Sequence, residues 1–256
     1  MKTALSIASS DSSNGAGATL DLRVFNYFKI YGFISLVTIT SQNSKGVNKI
    51  FKVPPHIIES QIDTIVKDFP VDACKIGMLY SHQAIHTVAQ RIKRRNFKNI
   101  ILDTPQISKN GKNIITEQGF KALKKTLLPL ADLITPNTDE TYTLCNTEVR
   151  NVETAKEAAK IIFQMGVKNV LIKGGHLDTP TDIFFDGKDF YDFQGEKYTD
   201  KSAHGTGCAL SAAICANLAL GNSMLNSIAV SKDFLNEIIK KSQKMGKGAM
   251  DFLIIQ

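Results

Sequence analysis

The run Ser202-Ala203-His204-Gly205-Thr206-Gly207-Cys208-Ala209-Leu210-Ser211-Ala212-Ala213 sets two glycines around a threonine, directly before a small-residue helical pattern. Free backbone N–H groups at a helix start bind anions, and the helix dipole adds partial positive charge there. Gly205 and Gly207 let the backbone come close to a ligand and permit positive φ. Cys208 falls on the first helical turn, where a thiol is expected to lose its proton more easily than a free one. An anion-holding turn that also carries a proton acceptor has the two parts needed for phosphoryl transfer to a hydroxyl.

Three further segments carry related chemistry. Ser9-Ser10-Asp11-Ser12-Ser13-Asn14-Gly15-Ala16-Gly17 leads into a helical pattern over 18–28, and Asp21 inside that helix can face the strand ends where α/β sheets bind ligands. Asn137 reads as a helix N-cap with Glu140 completing a capping box. Glu140 also has the chemistry to hold a Mg²⁺-bound water beside nucleotide phosphates. Lys173-Gly174-Gly175-His176 closes a buried strand with a cation suited to phosphate oxygens. Other fingerprints fail. Leu20 occupies the third glycine position after Gly15 and Gly17, and no G-x-x-x-x-G-K-[ST] occurs. His82-Gln83-Ala84-Ile85-His86 has zinc-protease spacing but lacks the glutamate, so it reads as a surface helix.

The elements that must position these residues alternate along the chain. Residues 3–8, 33–38, 73–78, 99–103, 132–135 and 167–173 are β-rich runs without clean polar alternation, as expected of parallel strands buried on both faces. Helical spacing recurs over 56–69, after Pro54-Pro55, and over 154–165, before Gly166. Asp186-Gly187, between the arms 183–185 and 188–191, predicts an antiparallel hairpin. The 256 residues suffice for one large α/β domain over 1–256, and no linker or low-complexity tract divides them.

The charge of +7 and a pI near 9.1 are mildly basic. The densest basic run, Arg91, Lys93, Arg94 and Arg95, reads as a solvated helix end, and there is no tryptophan or interleaved aromatic pattern. A nucleic-acid partner is therefore not expected. Nor is a membrane, since no run approaches about 18 apolar residues. Cys208 and Cys215 would lie about 10.5 Å apart along one helix, too far for a disulfide. Cys74 and Cys145 add no C-x-x-C spacing, so reduced thiols and a cytoplasmic location are expected.

Taken in order, Asp11…Gly15-Ala16-Gly17…Asp21, Gln42-Asn43-Ser44-Lys45-Gly46-Val47, Lys75-Ile76-Gly77-Met78-Leu79, Leu102-Asp103, Thr135-Pro136-Asn137 with Glu140, Lys173-Gly174-Gly175-His176 and His204-Gly205-Thr206-Gly207-Cys208 span nearly the whole chain. This series resembles the hydroxymethylpyrimidine/phosphomethylpyrimidine kinases of thiamine biosynthesis, within the ribokinase superfamily. The resemblance implies a three-layer α/β sandwich with a central, mainly parallel sheet, helices on both faces and a short antiparallel hairpin, usually as a homodimer. It implies ATP and Mg²⁺, with 4-amino-5-hydroxymethyl-2-methylpyrimidine phosphorylated first and its monophosphate second. Asp21, Gln42 and Ser9 would line the acceptor and Met78 would cover its face. Cys208 would take the hydroxyl proton, and the Gly205–Gly207 backbone and Lys173 would steady the transferring oxygens. Lys173, Asn137, Glu140 and Thr206 would serve the nucleotide, with Glu140 on Mg²⁺ through water. The amide of Gln42 offers a donor and an acceptor to the edge of an aminopyrimidine.

Departures from the family pattern concentrate on the acceptor side. Ser9, Ser12 and Asn14 stand where the first loop usually has glycine, proline and glycine, and Asn14 tolerates the left-handed conformation. Gln106 adds a polar group near the acceptor. A pyridoxal or pyridoxine kinase of the same superfamily, and a vitamin-precursor binding protein without turnover, are the competing expectations.

Overall fold

The computed structural model describes residues 1–104, 115–175, 177, 179–196, 198 and 203–256; Gln106, His176 and Ser202 lie outside the described residues. The chain runs β1 (Thr3–Ala8), α1 (Gly17–Tyr27), β2 (Tyr31–Leu36), β3 (Thr38–Asn43), β4 (Gly46–Lys52), α2 (Pro55–Asp68), β5 (Ala73–Ile76), α3 (His82–Arg95), β6 (Ile100–Leu102) and α4 (Glu117–Ala122). It continues through β7 (Leu133–Ile134), α5 (Thr138–Cys145), α6 (Val152–Phe163), β8 (Val170–Ile172), β9 (Thr181–Phe185), β10 (Phe190–Gln194), β11 (Ala203–His204), α7 (Thr206–Ala219), α8 (Met224–Lys240) and β12 (Asp251–Phe252).

Eight strands form one sheet in the order β10-β9-β8-β7-β6-β5-β1-β2. Its members from β8 to β2 are parallel, whereas β9 and β10 run antiparallel around the expected Asp186-Gly187 turn. Period-two alternation sends Leu5, Ile7, Cys74, Ile76, Ile100, Leu102, Val170 and Ile172 into a core with α2, α3 and α6. Ala4, Ala73, Ile101, Leu133 and Leu171 enter a second core with α1, α7 and α8. Both faces are covered, which explains why the strands lack polar alternation. Helix α7 is buried on every side from Ala209 to Ala219, and its alanines permit that close packing.

The expected strands are present but several are shorter, and the run expected over 33–38 starts at Tyr31 and ends at Leu36. Beyond Val37 the chain leaves the sheet as a separate two-stranded ribbon, β3–β4. All of β4 is exposed, so it lacks the apolar signature by which buried strands are recognised. The basic run ends α3 as expected, but Arg91 is buried, bonding Glu59 and Asp63 of α2, and Arg95 also reaches Asp63. No helix among the described residues is long and apolar enough to cross a membrane.

One polar pair lies inside the second core. Lys75, in the middle of β5, is completely buried, and its Nζ donates to Asp21 Oδ1 of α1 at 2.7 Å. Asp21 Oδ2 accepts from Ser6 of β1 at 2.5 Å. Removing one member of a buried ion pair leaves an uncompensated charge. Lys75→Met is expected to lower unfolding stability in urea by about 3–5 kcal/mol, and the double change Asp21→Leu/Lys75→Met to recover most of it.

Candidate active site

Parallel strands leave their carboxyl ends on one edge, where ligands of open α/β sheets bind. The residues immediately after those ends are Ser9 from β1, Gly77 and Met78 from β5, Asp103 and Thr104 from β6, Thr135 to Asn137 from β7, and Lys173 from β8. Helix α7 starts beside them.

Gly205 is the N-cap of α7 with φ +84°, and a Cβ there would lie 2.0 Å from Gly15 O. Only glycine allows that contact between the two loops. Gly207 is helical rather than left-handed; its missing side chain instead makes room for Lys173, whose Nζ would lie 3.2 Å from a Cβ at that position. The first loop is built on Asp11, whose Oδ1 accepts from Ser13 N and Oγ and whose Oδ2 accepts from Gly15 N. Asn14 adopts φ +59°, the conformation its side chain was expected to tolerate.

A line of charges, all buried except the partly exposed Lys173, runs beneath these loops. Lys75 Nζ lies 2.7 Å from Asp21 and 3.8 Å from Asp103. Lys173 Nζ lies 3.4 Å from Asp103 and 3.8 Å from Glu140. Ser211 of α7 donates to Asp103 Oδ2 at 3.1 Å, tying this line to the helix that bears Cys208. Burial pushes the Asp103 carboxyl up, but Lys173 and Lys75 outweigh it and hold the group below its ordinary value. Burial alone would lower Lys173; Glu140 and Asp103 reverse this and keep the ammonium charged.

Glu140 behaves differently. Burial pushes its carboxyl up to about 7, against the opposing pull of Lys173 and with reinforcement from Asp103. The capping box is formed: Glu140 Oε2 accepts from Asn137 N at 2.7 Å, and Asn137 Oδ1 accepts from Glu140 N at 2.8 Å. These atoms are committed to the start of α5, which leaves Glu140 Oε1 and the amide nitrogen of Asn137 outside the capping box. Among the described residues no group of three His, Cys, Asp or Glu side chains is placed to hold a metal. This applies to His82 and His86 as well, whose rings simply stack edge-on. The donor set therefore fits a Mg²⁺ ion carried chiefly by phosphates and waters, with one carboxylate behind a water.

The Cys208 thiol contradicts the expectation of easy deprotonation. Burial pushes it up to about 11, with Lys75 pulling it down and Asp103 pushing it further up. The helix start is present, but the surrounding protein removes the water that would solvate a thiolate.

On the acceptor side, Gln42 of β3 lies near His204, with Met78 partly exposed beside the strand ends. An open depression is lined by Ser12, Thr40, Ser41, Gln42, Asn43 and Asn48. Ser9 does not present its hydroxyl there. Its Oγ donates to Met78 O and accepts from Thr38 at 2.5 Å, so the extra side chain is absorbed into the joint between β1 and β3. Asp21 is fully buried, both oxygens engaged by Lys75 and Ser6. Thr206 is the first residue of α7, directly after its N-cap Gly205.

Residues 11–252 match the phosphomethylpyrimidine kinase family. This chain belongs to that family. It is 40% identical over 253 residues to the hydroxymethylpyrimidine/phosphomethylpyrimidine kinase of Aquifex aeolicus, covering 97% of this chain and 99% of the relative. The same-named Bacillus subtilis protein is 34% identical over 248 residues, covering 96% and 92%. The crystal structure of phosphomethylpyrimidine kinase from Clostridium difficile 630 superposes with TM-score 0.85 at 36% identity, covering 93% of this chain and 99% of that one. An ADP complex of Bacillus subtilis pyridoxal kinase superposes with TM-score 0.91 at 33% identity, covering 100% and 97%. Phosphomethylpyrimidine kinases and these neighbours share the α/β sandwich found here.

Sequence reasoning assigned no role to Lys75, Asp103, Ser211, Asp11 or His204. A lysine inside a buried strand was the available signal for Lys75, the same argument that singled out Lys173. Nothing in the spacing joins Asp103 to Ser211, because only the packing of α7 on the sheet brings them together.

The Glu140 carboxyl has a consequence for stability. The native protein holds this proton up to about pH 7, whereas the unfolded chain releases it near 4.5. The native state therefore binds more protons in that window, and the stability from this group is full below pH 4.5 and lost as pH rises through 7. Glu140→Gln, which keeps the capping geometry, is expected to match the parent near pH 4 and to exceed it by roughly 3 kcal/mol near pH 8. Urea unfolding at the two pH values reads the difference.

Proposed function

We propose that this chain transfers the γ-phosphoryl group of ATP to the hydroxymethyl group of 4-amino-5-hydroxymethyl-2-methylpyrimidine, and then to the resulting monophosphate, in the cytoplasm. The observation that carries this reading is the approach of Lys173 to Gly207 at the start of α7, the helix that bears Cys208, with Gln42 against His204 just before that helix, within a chain of this family. The acceptor oxygen bonds to the γ-phosphorus as the bond from phosphorus to the β–γ bridging oxygen breaks and ADP leaves. Lys173 and the N–H groups at Thr206 to Cys208 face the transferring oxygens, where positioning and charge stabilisation matter most. Mg²⁺ bound with the nucleotide supplies charge neutralisation, and Glu140 would hold it through a water. Asn137 and Thr206 line the nucleotide side. The hydroxyl proton passes to the Cys208 thiolate, with the Lys75 ammonium close enough to favour that charge. Asp21 acts from beneath by holding Lys75.

A pyridoxal kinase is the second reading, favoured by the superposition on the Bacillus subtilis pyridoxal kinase. ADP release with Mg²⁺-ATP, compared across hydroxymethylpyrimidine, its monophosphate, pyridoxal and no acceptor, tests both. Turnover on the two pyrimidines is expected; turnover on pyridoxal alone would reassign the acceptor, and ATP binding without turnover would favour a precursor-binding protein.

We read the working form as a homodimer. Strand β2 is an open edge of the sheet; beside it Tyr31, Phe33 and Phe69 stack, and the cross-strand pair Ile39 and Phe51 is exposed. Exposed apolar edges of this kind invite a partner. Phe51→Lys is expected to shift the sedimentation coefficient from dimer to monomer. Cys208→Ala is expected to lower kcat by about a hundredfold or more while the Kd for ATP stays within about twofold. For the parent, kcat should climb with pH toward the thiol value of about 11, and Cys208→Asp should abolish that climb.

A further inference from the structure

Oxygen and nitrogen of a glutamine amide have nearly the same size, and the hydrogen-bond partners decide which is which. At Gln42 two separate partners decide. The first is His204. Its Nε2 lies 3.3 Å from Asp11 Oδ2 and 3.2 Å from the Gln42 atom placed as Nε2. Burial pushes the Asp11 carboxyl up, but bonds from His204 and Ser13 hold it below its ordinary value, so it is an ionised acceptor. A ring nitrogen facing it must carry the proton. His204 Nε2 is therefore a donor, and a second donor from Gln42 cannot satisfy it.

The second partner is Thr40. Its Oγ1 donates its single proton to Ser10 O at 2.9 Å. The same Oγ1 lies 3.5 Å from the Gln42 atom placed as Oε1, where two acceptors would meet. Exchanging the two ends of the amide suits both contacts: the oxygen shares the single His204 Nε2–H with Asp11 Oδ2 in a three-centre bond, and the NH₂ group donates to Thr40 Oγ1. The imidazole cannot turn away freely, because its ring packs edge-on against Phe252 and its Cδ2 would lie 2.6 Å from a Cβ on Gly15.

We infer that His204, oriented by Asp11, is a positioning residue that fixes the Gln42 amide with its oxygen on the His204 side and its nitrogen on the Thr40 side, and so sets the orientation of the acceptor ring. This rests on the pyrimidine kinase reading above and deepens it. An aminopyrimidine carries a ring-nitrogen acceptor next to an exocyclic amino donor. It meets the remaining lone pair and N–H of Gln42 in one in-plane orientation, with the amino group toward His204. A ring lacking that adjacent amino donor satisfies only the nitrogen end. A site built to bond a polar group rejects analogues that lack it.

The tautomer is read first, on the full-length protein with no acceptor present, by long-range ¹H–¹⁵N correlation of the imidazole, with His204→Gln assigning the peak. A proton on Nε2 is expected; a bare Nε2 with the proton on Nδ1 would overturn the inference whatever the acceptor proves to be. Kinetics with hydroxymethylpyrimidine follow. His204→Phe, which keeps a ring against Phe252 but loses the donor, is expected to raise the acceptor KM about tenfold, with the ATP KM within about twofold. His204→Gln, which restores an N–H, should recover most of that loss. An unchanged acceptor KM in His204→Phe, or equal losses in the Phe and Gln variants, would also overturn it. Turnover on pyridoxal alone, with Nε2 protonated, would sink the acceptor assignment but leave the amide orientation standing.

Discussion

Lys75 and Lys173 flank Asp103 in a largely buried line of alternating charge that reaches Asp21 at one end and Glu140 at the other. The fully buried Lys75 ammonium could not remain inside the protein without these carboxylates, since an unpaired buried charge costs several kcal/mol. Each carboxylate comes from a different element: Asp21 from α1, Asp103 from the end of β6, Glu140 from the first turn of α5. The line thus requires three helix–strand units to be docked in register before it is complete. It also meets α7 through Ser211, so the helix that bears Cys208 is tied to the same charges that hold the sheet edge.

The acceptor side is assembled by contact between distant loops. Gly15 and Gly205 meet backbone to backbone, and Arg23 clamps the first loop to the carboxyl-terminal segment by donating to Asn14 O and Leu253 O. The turn of the β3–β4 ribbon is held in turn by that segment, where Gly248 N donates to Ser44 Oγ. Gln42 therefore stands on a ribbon with little core of its own, kept in place by Ser12, Ser10 and the carboxyl-terminal segment. This division matches the sequence: Ser9, Ser12 and Asn14, which depart from the family pattern, fall on a loop held by polar contacts, while Gly205-Thr206-Gly207-Cys208 follows it. Ser9 shows how such a change is absorbed, its hydroxyl being turned into the joint with Thr38 and Met78.

The legibility of the fold follows from which forces are local. Buried parallel strands announce themselves by unbroken apolar runs, and the helices over 56–69 and 154–165 by spacing, so the sandwich and the hairpin at Asp186-Gly187 were readable within a few residues. The β3–β4 ribbon was not, because an exposed strand such as Gly46–Lys52 buries nothing and leaves no periodic mark. The capping box of Asn137 and Glu140 was readable because it closes within four residues. The positive φ of Gly205 and Asn14 was readable for the same local reason, whereas Gly207 proved to serve the approach of Lys173 instead.

The sequence by itself determined the layered α/β architecture, the family and the glycine-flanked start of α7, since each depends on residue type, short spacing or motif order. Only the tertiary structure decided the protonation of the site. Cys208 has the helix start expected to acidify it, yet desolvation by the packed sheet and helices pushes its thiol up to about 11. Glu140 is likewise moved to about 7 by burial beside Asp103. Desolvation and long-range Coulomb terms depend on what surrounds a group in space, and neighbours such as Asp21 and Lys75 are far apart in the chain. Composition and spacing carry the chemistry that is possible; the packing sets the charge on each group that performs it.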